Sequence, residues 1–170
     1  AEEAQRVALI HRKAEEHYRS VFSLVEELMT TVPANAKHNR SLADVYGDLA
    51  WFLATCSDPQ LRDPTQAVEL AQLAAQRAPD QARVWRTCGV AHYRNGGYRQ
   101  SVDALTKAIE RGPDVTATDG LFLAMAYWQL GQPAAARTWY RKGMTAVRTG
   151  CPDGELLASI RQEAATLLGE

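Results

Sequence analysis

Apolar residues in this chain recur at helical spacing and nowhere sustain the alternation of a half-buried strand, so helices are predicted throughout. In the middle of the chain Val84, Trp85, Cys88, Ala91, His92 and Tyr93 mark one face of a helix, and Asn95-Gly96-Gly97 ends it. Val102, Leu105, Ala108 and Ile109 resume the period until Gly112-Pro113 stops it. A long amphipathic stretch covers 3–32, with Val7, Ala14, Val21 and Leu28 repeating every seven positions before Pro33 closes it. Near the other end, Asp153 is placed to start a helix whose stripe is Leu156, Leu157, Ile160, Ala164, Leu167 and Leu168, with Arg161, Gln162 and Glu163 facing away.

The two-helix unit recurs. Gly96 and Gly131 lie 35 positions apart, while Ala74 and Ala108, like Pro79 and Pro113, lie 34 apart. Three segments thus share one template, and a period of that size marks a stack of helical hairpins. The stretch VWRTCGVAHYRNGGYRQSVDALTKAIERGPD resembles a tetratricopeptide repeat, whose pattern is W-x2-L-G-x2-Y, then G-x-Y, then A-x3-F-x2-A and P. Trp85, Gly89, Gly96, Tyr98, Ala108 and Pro113 match it, whereas Cys88, His92, Ser101 and Leu105 replace the usual Leu, Tyr, Ala and aromatic residue.

The following segment keeps Ala124, Tyr127, Gly131, Ala136 and Tyr140 but has Gly120 in place of Trp and Gly143 in place of Ala. The preceding one has Leu49-Ala50, Ala67, Ala74 and Pro79, with a longer inter-helix loop over 57–64. Its phrase LAWFLATCSDPQLRDPTQAVELA resembles a variant hairpin found in repeat arrays of bacterial multidomain signalling proteins.

The resemblance implies an all-α protein, a right-handed α-solenoid of stacked antiparallel helix pairs with a capping helix. Its parts would be an N-terminal helical unit over 1–40, repeats over 43–80, 82–115 and 117–150, and a cap over 153–169. Residues 3–32 would cap the first hairpin or, as the alternative, self-associate as a coiled coil, making the chain a homo-oligomerising scaffold; monomer and dimer both stay open.

Composition narrows the function. A net charge of −1 gives no electrostatic reason to expect nucleic acid or an anionic membrane surface. The nearly apolar runs over 49–56 and 121–128 are far shorter than the roughly 20 residues of a spanning helix. AEEAQR at the amino terminus lacks the apolar core of an export signal, and Cys56, Cys88 and Cys151 have no paired spacing, so reduced thiols and a cytoplasmic setting are expected. His11, His17, His38 and His92 are scattered without metal-ligand spacing, and no phosphate-binding or nucleophile-elbow motif occurs. No enzymatic role, cofactor or metal is expected.

Binding is therefore the predicted work. In the resembling family the first helix of each pair lines an inner groove that takes a partner segment. That implies Asp44, Gly47, Trp51 and Thr55 in the first unit, Arg83, Arg86, Val90, Tyr93 and Arg94 in the second, and Leu121, Met125, Trp128 and Gln129 in the third. Aromatic groups beside arginines suit a protein or peptide with apolar and acidic groups. Trp51 and Val90 stand where the chaperone-tail clamp of some family members has asparagine, which argues against that subclass. A small-molecule-sensing domain using the same arginines is the rival of a different class.

Overall fold

The computed structural model describes residues 36–170 apart from 57, 59, 60 and 150–153, together with positions 13, 20, 23, 24 and 27. Among the described residues the chain is all-helical: α1 (Ala36–Thr55), α2 (Pro64–Arg77), α3 (Ala82–Arg94), α4 (Tyr98–Arg111), α5 (Ala117–Gln129), α6 (Pro133–Thr149) and α7 (Glu155–Leu168). The seven-residue repeat over 3–32 and the start signal at Asp153 lie outside the described residues. Helix α1 begins at Ala36, ahead of the 43 expected for its repeat, and Arg40 on this extra length meets Asp80 at 2.9 Å.

Helices α1 and α2, α3 and α4, and α5 and α6 pack as pairs. The first members also touch in series, α1 on α3, α3 on α5 and α5 on α7. One helix end is built three times, the third after α7, where Gly169 (φ +71°) lets the Glu170 N–H reach the Ala165 carbonyl at 3.0 Å. Gly96 (φ +77°) and Gly131 (φ +71°) take the left-handed conformation just beyond α3 and α5, where a side chain is strained. The following amides then reach back, Gly97 N–H to the His92 carbonyl at 2.8 Å and Gln132 N–H to that of Tyr127 at 2.9 Å. The longer α1–α2 connection is closed differently: Asp63 accepts the Gln66 N–H at 2.9 Å, and Pro64 supplies the first helical position.

Helix α5 is the axis of the core. Every residue from Asp119 to Ala126 is buried, and α5 contacts α3, α4, α6 and α7. A helix apolar almost all round has to lie inside. Its closest neighbour is α6. A Cβ added to Gly120 would sit 2.4 Å from the Gly143 Cα, and one added to Gly143 would meet the Leu121 nitrogen at 2.9 Å. The two departures from the tetratricopeptide pattern in this segment are thus one feature, a backbone-on-backbone contact that needs glycine on both sides. In the preceding pair the closest contact is glycine against leucine, with Gly89 under the buried Leu105.

Gly120→Ala is expected to lower stability by about 2–3 kcal/mol, since backbone cannot move aside as a side chain can. Gly131→Ala should cost only about 1 kcal/mol, the penalty of a left-handed non-glycine residue. Urea unfolding of the three proteins checks the ranking, and equal midpoints would place α5 and α6 farther apart than described here.

Candidate partner-binding face

Arginines 83, 86 and 94 fall on one side of α3, because spacings of three and eleven residues return close to the same helical direction. Each one meets a carboxylate from a different first helix. Arg83 pairs with Asp44 at 3.2 Å and with Asp48, both on α1. Arg86 reaches Asp119 on α5 through two bonds, Nε to Oδ1 at 2.7 Å and Nη2 to Oδ2 at 3.0 Å. Arg94 grips Glu163 on α7 with bonds of 2.5 and 2.7 Å. One helix is thereby tied to the three other first helices.

The pairs differ in worth because they differ in exposure. The Arg83 side chain is 52% exposed and its two carboxylates are comparably open, so solvent screens them to roughly 0–1 kcal/mol. Asp119 is 0% exposed and Arg86 only 20%. A carboxylate so buried must be fully satisfied. Besides Arg86 it accepts the Thr116 N–H at 3.0 Å and the Thr116 hydroxyl at 2.7 Å, and the Asp119 N–H donates back to the Thr116 hydroxyl oxygen at 3.2 Å, closing a capping box at the start of α5, where the helix dipole also favours negative charge. The Arg94 guanidinium lies 5.2 Å from the Phe122 ring centre and 5.6 Å from that of Tyr93, so its pair with Glu163 is shielded by aromatic surface. Tyr93 in turn meets Phe122 edge-on at 5.3 Å.

No protein-family model matches the chain, and no curated protein matches it. What the face can do rests on its geometry. Val90, Leu121 and Met125 are 0% exposed and pack in the core, and Tyr93 is nearly so. Thr55 is buried and its hydroxyl donates to the Trp51 carbonyl at 2.7 Å. Gly47 is buried as well. Trp51 and Trp128 are half-buried, the latter against Ala124, Ala136 and Leu168. Asp44, Arg83 and Gln129 reach solvent. So the thirteen positions singled out from the sequence divide into a packed set and an accessible set, and the accessible set centres on Arg83.

Sequence reading passed over Asp48, Asp119 and Glu163. Asp119 carries a readable signal, since Thr116 three positions ahead is the spacing of a capping box and Arg86 lies 33 positions back, about one repeat. Glu163 was expected to face away from the stack and instead turns onto α3. The charge on Arg94, otherwise stranded against aromatic rings, draws it there.

Cys88, His92, Trp85 and Lys107 line a separate cleft of about 390 Å³ between α2, α3 and α4. Burial pushes the Cys88 thiol up to about 12, and its Sγ donates to the Ala71 carbonyl at 3.1 Å, so it is no nucleophile at neutral pH. Burial lowers the pKa of His92. Among the described residues no group of three or more His, Cys, Asp or Glu side chains is arranged to hold a metal ion, and no helix is long and apolar enough to cross a membrane.

Arg86→Ala should destabilise the fold by about 3–5 kcal/mol, because it leaves the Asp119 charge buried and unanswered. Arg86→Lys should recover only part of this, since an ammonium cannot make the two-pronged contact. Calorimetric unfolding checks both, and a loss below about 1 kcal/mol for the alanine variant would remove the pair from the core.

Alkaline pH supplies a second test. Cys88 rises from 9.0 to about 12 and Tyr93 from 10.0 to about 12, both chiefly through burial, the nearby Glu163 adding to the rise for Tyr93. Below pH 9 both groups are protonated folded or unfolded. Above it the unfolded chain releases protons that the folded chain keeps, so stability falls as pH climbs toward about 12. Cys88→Ala should flatten the fall between about pH 9 and 10 in urea titrations at stepped pH. A slope as steep as the parent's would mean that the thiol is not buried.

Proposed function

We propose that this chain is a tetratricopeptide-like right-handed solenoid that holds a partner protein and catalyses nothing itself. The observation that carries the reading is the arginine series of α3. By tying α1, α5 and α7 to one helix it presents the first helices as a single pre-formed surface, and a surface that is already ordered loses little entropy on binding. On that surface the accessible charges are Arg83, Asp44 and Asp48, and the half-buried tryptophans Trp51 and Trp128 offer apolar edges.

The expected partner is a peptide or domain with an acidic group and an apolar anchor. Its carboxylate would displace Asp44 or Asp48 from Arg83, an exchange that costs little because the exposed pairs are weak. Arg86 and Arg94 play another part in this reading. Their guanidiniums are spent on Asp119 and Glu163, so they shape the face and do not touch the ligand. The setting is read as cytoplasmic, with both described cysteines as thiols.

Arg83→Glu isolates the binding role, because the side chain is exposed and the fold does not hang on it. Peptides selected from a display library against the intact chain should bind with a dissociation constant raised at least tenfold by this change, as read by fluorescence anisotropy. Unchanged affinity would move binding off the inner face. Failure to select any saturable peptide would count against the protein-binding reading altogether.

A further inference from the structure

Helix α6 carries Arg137, Arg141, Lys142 and Arg148 and no acidic residue, in a chain whose net charge is −1. Helix α3 is also basic, yet each of its arginines is met by a carboxylate from another helix. On α6 that balance is missing. Arg137 has Glu170 at 3.7 Å, with both side chains largely open to solvent. Lys142 lies over the Trp139 ring at 4.2 Å. Among the described residues no carboxylate pairs with Arg141 or Arg148.

Packing on the same face is also sparse among the described residues. Helices α2 and α4 are each covered by the first helix of the next pair, whereas α7 leans chiefly on α5 and, among the described residues, no further helix packs on the far side of α6. A cleft of about 560 Å³ runs there, lined by Arg137, Tyr140, Arg141, Met144, Arg148 and Glu170. Tyr140 and Met144 are half-buried, so the floor is apolar and the rims are cationic. From Arg137 to Arg141 is one helical turn, and from Arg141 to Arg148 about two more. The three therefore form one stripe along α6, which an element laid along the helix would meet in turn.

We propose that this face of α6 receives an acidic amphipathic helix of a partner protein. Its carboxylates would pair with Arg141 and Arg148 and compete with Glu170 for Arg137, while its apolar stripe covers Tyr140 and Met144. The apolar floor favours an amphipathic peptide over a nucleic acid or a lipid surface, for which a row of cations alone suffices. The inference rests on the reading of the chain as a protein-binding module, but it uses the opposite end of the stack from Arg83.

The test uses the whole chain and a designed helical peptide with glutamates one and then two turns apart and leucines between them. A scrambled peptide of equal composition, vesicles containing phosphatidylserine, and duplex RNA serve as competing probes. The expected result is saturable binding of the designed peptide alone, weakened at least tenfold in Arg141→Glu/Arg148→Glu, by less in Arg141→Gln/Arg148→Gln, and not at all in Arg83→Glu. Circular dichroism verifies that each variant is folded, and the milder glutamine pair decides the matter if the glutamate pair is not. Equal binding of the scrambled peptide, binding only of vesicles or RNA, or indifference to the α6 changes overturns the assignment. Loss in Arg83→Glu with α6 variants unaffected would leave the inner-face reading standing and this one refuted.

Discussion

A charge as buried as that of Asp119 dictates the arrangement around it. Withdrawing a carboxylate from water costs several kcal/mol, and the cost is offset only where every acceptor site is engaged. Thr116 supplies two of the required donors from the start of the same helix, and Arg86 supplies two more from α3. The local donors come automatically once α5 forms. The arginine is different, because it can arrive only if α3 lies alongside α5 in one register. Moving α3 by a single turn would carry the guanidinium about 5 Å away and leave the charge unmet. The pair thus selects among ways of stacking the helices that the apolar surfaces alone would treat as nearly alike.

The same helix bears the tightest steric demand. Gly120 follows Asp119 directly and rests on the backbone of α6 at Gly143, so one short segment fixes α5 against both of its neighbours. Charge and shape reinforce each other there. Asp119 itself is fully buried, and a low-dielectric surround strengthens its ion pair with Arg86. Farther along, Phe122 carries the constraint onward, since Arg94 stacks on its ring and reaches Glu163 of α7. Helix α7 is seated by that contact together with the burial of Ile160, Ala164 and Leu168.

Helix pairs and several of their ends were legible because they follow from periodicity and from glycine chemistry. Gly96 and Gly131 mark ends that only a left-handed residue can make without strain, and Asp63-Pro64 marks a start for an equally local reason. The exchange of Trp for Gly120 was visible in the sequence as a departure, but its meaning was not, since it depends on Gly143 across the helix pair. Burial of Val90, Leu121 and Met125 was missed for a related cause. A first helix that packs on its own partner and on two neighbouring first helices has little surface left over, and a repeat pattern specifies only the first of these contacts. Glu163 shows the limit most plainly. In a solitary amphipathic helix a polar residue off the apolar stripe is assigned to solvent, and only the position of Arg94, 69 residues earlier, reverses that.

Arginine therefore does two different things in this molecule, and residue type does not separate them. On α3, Arg86 and Arg94 are enclosed by acids from other parts of the chain, and their contribution is to hold helices in register. On α6 the same side chain stands at similar helical spacing beside apolar groups, with one distant glutamate for company. Packing explains little of these cations, because exposed arginines along one helix face repel each other, and only Arg148, in the last turn, gains from the helix dipole. Among the described residues the charges around α5 are met by carboxylates of the chain itself, whereas those along α6 meet only Glu170 and the Trp139 ring, and it is this contrast that supports the partner face proposed for α6.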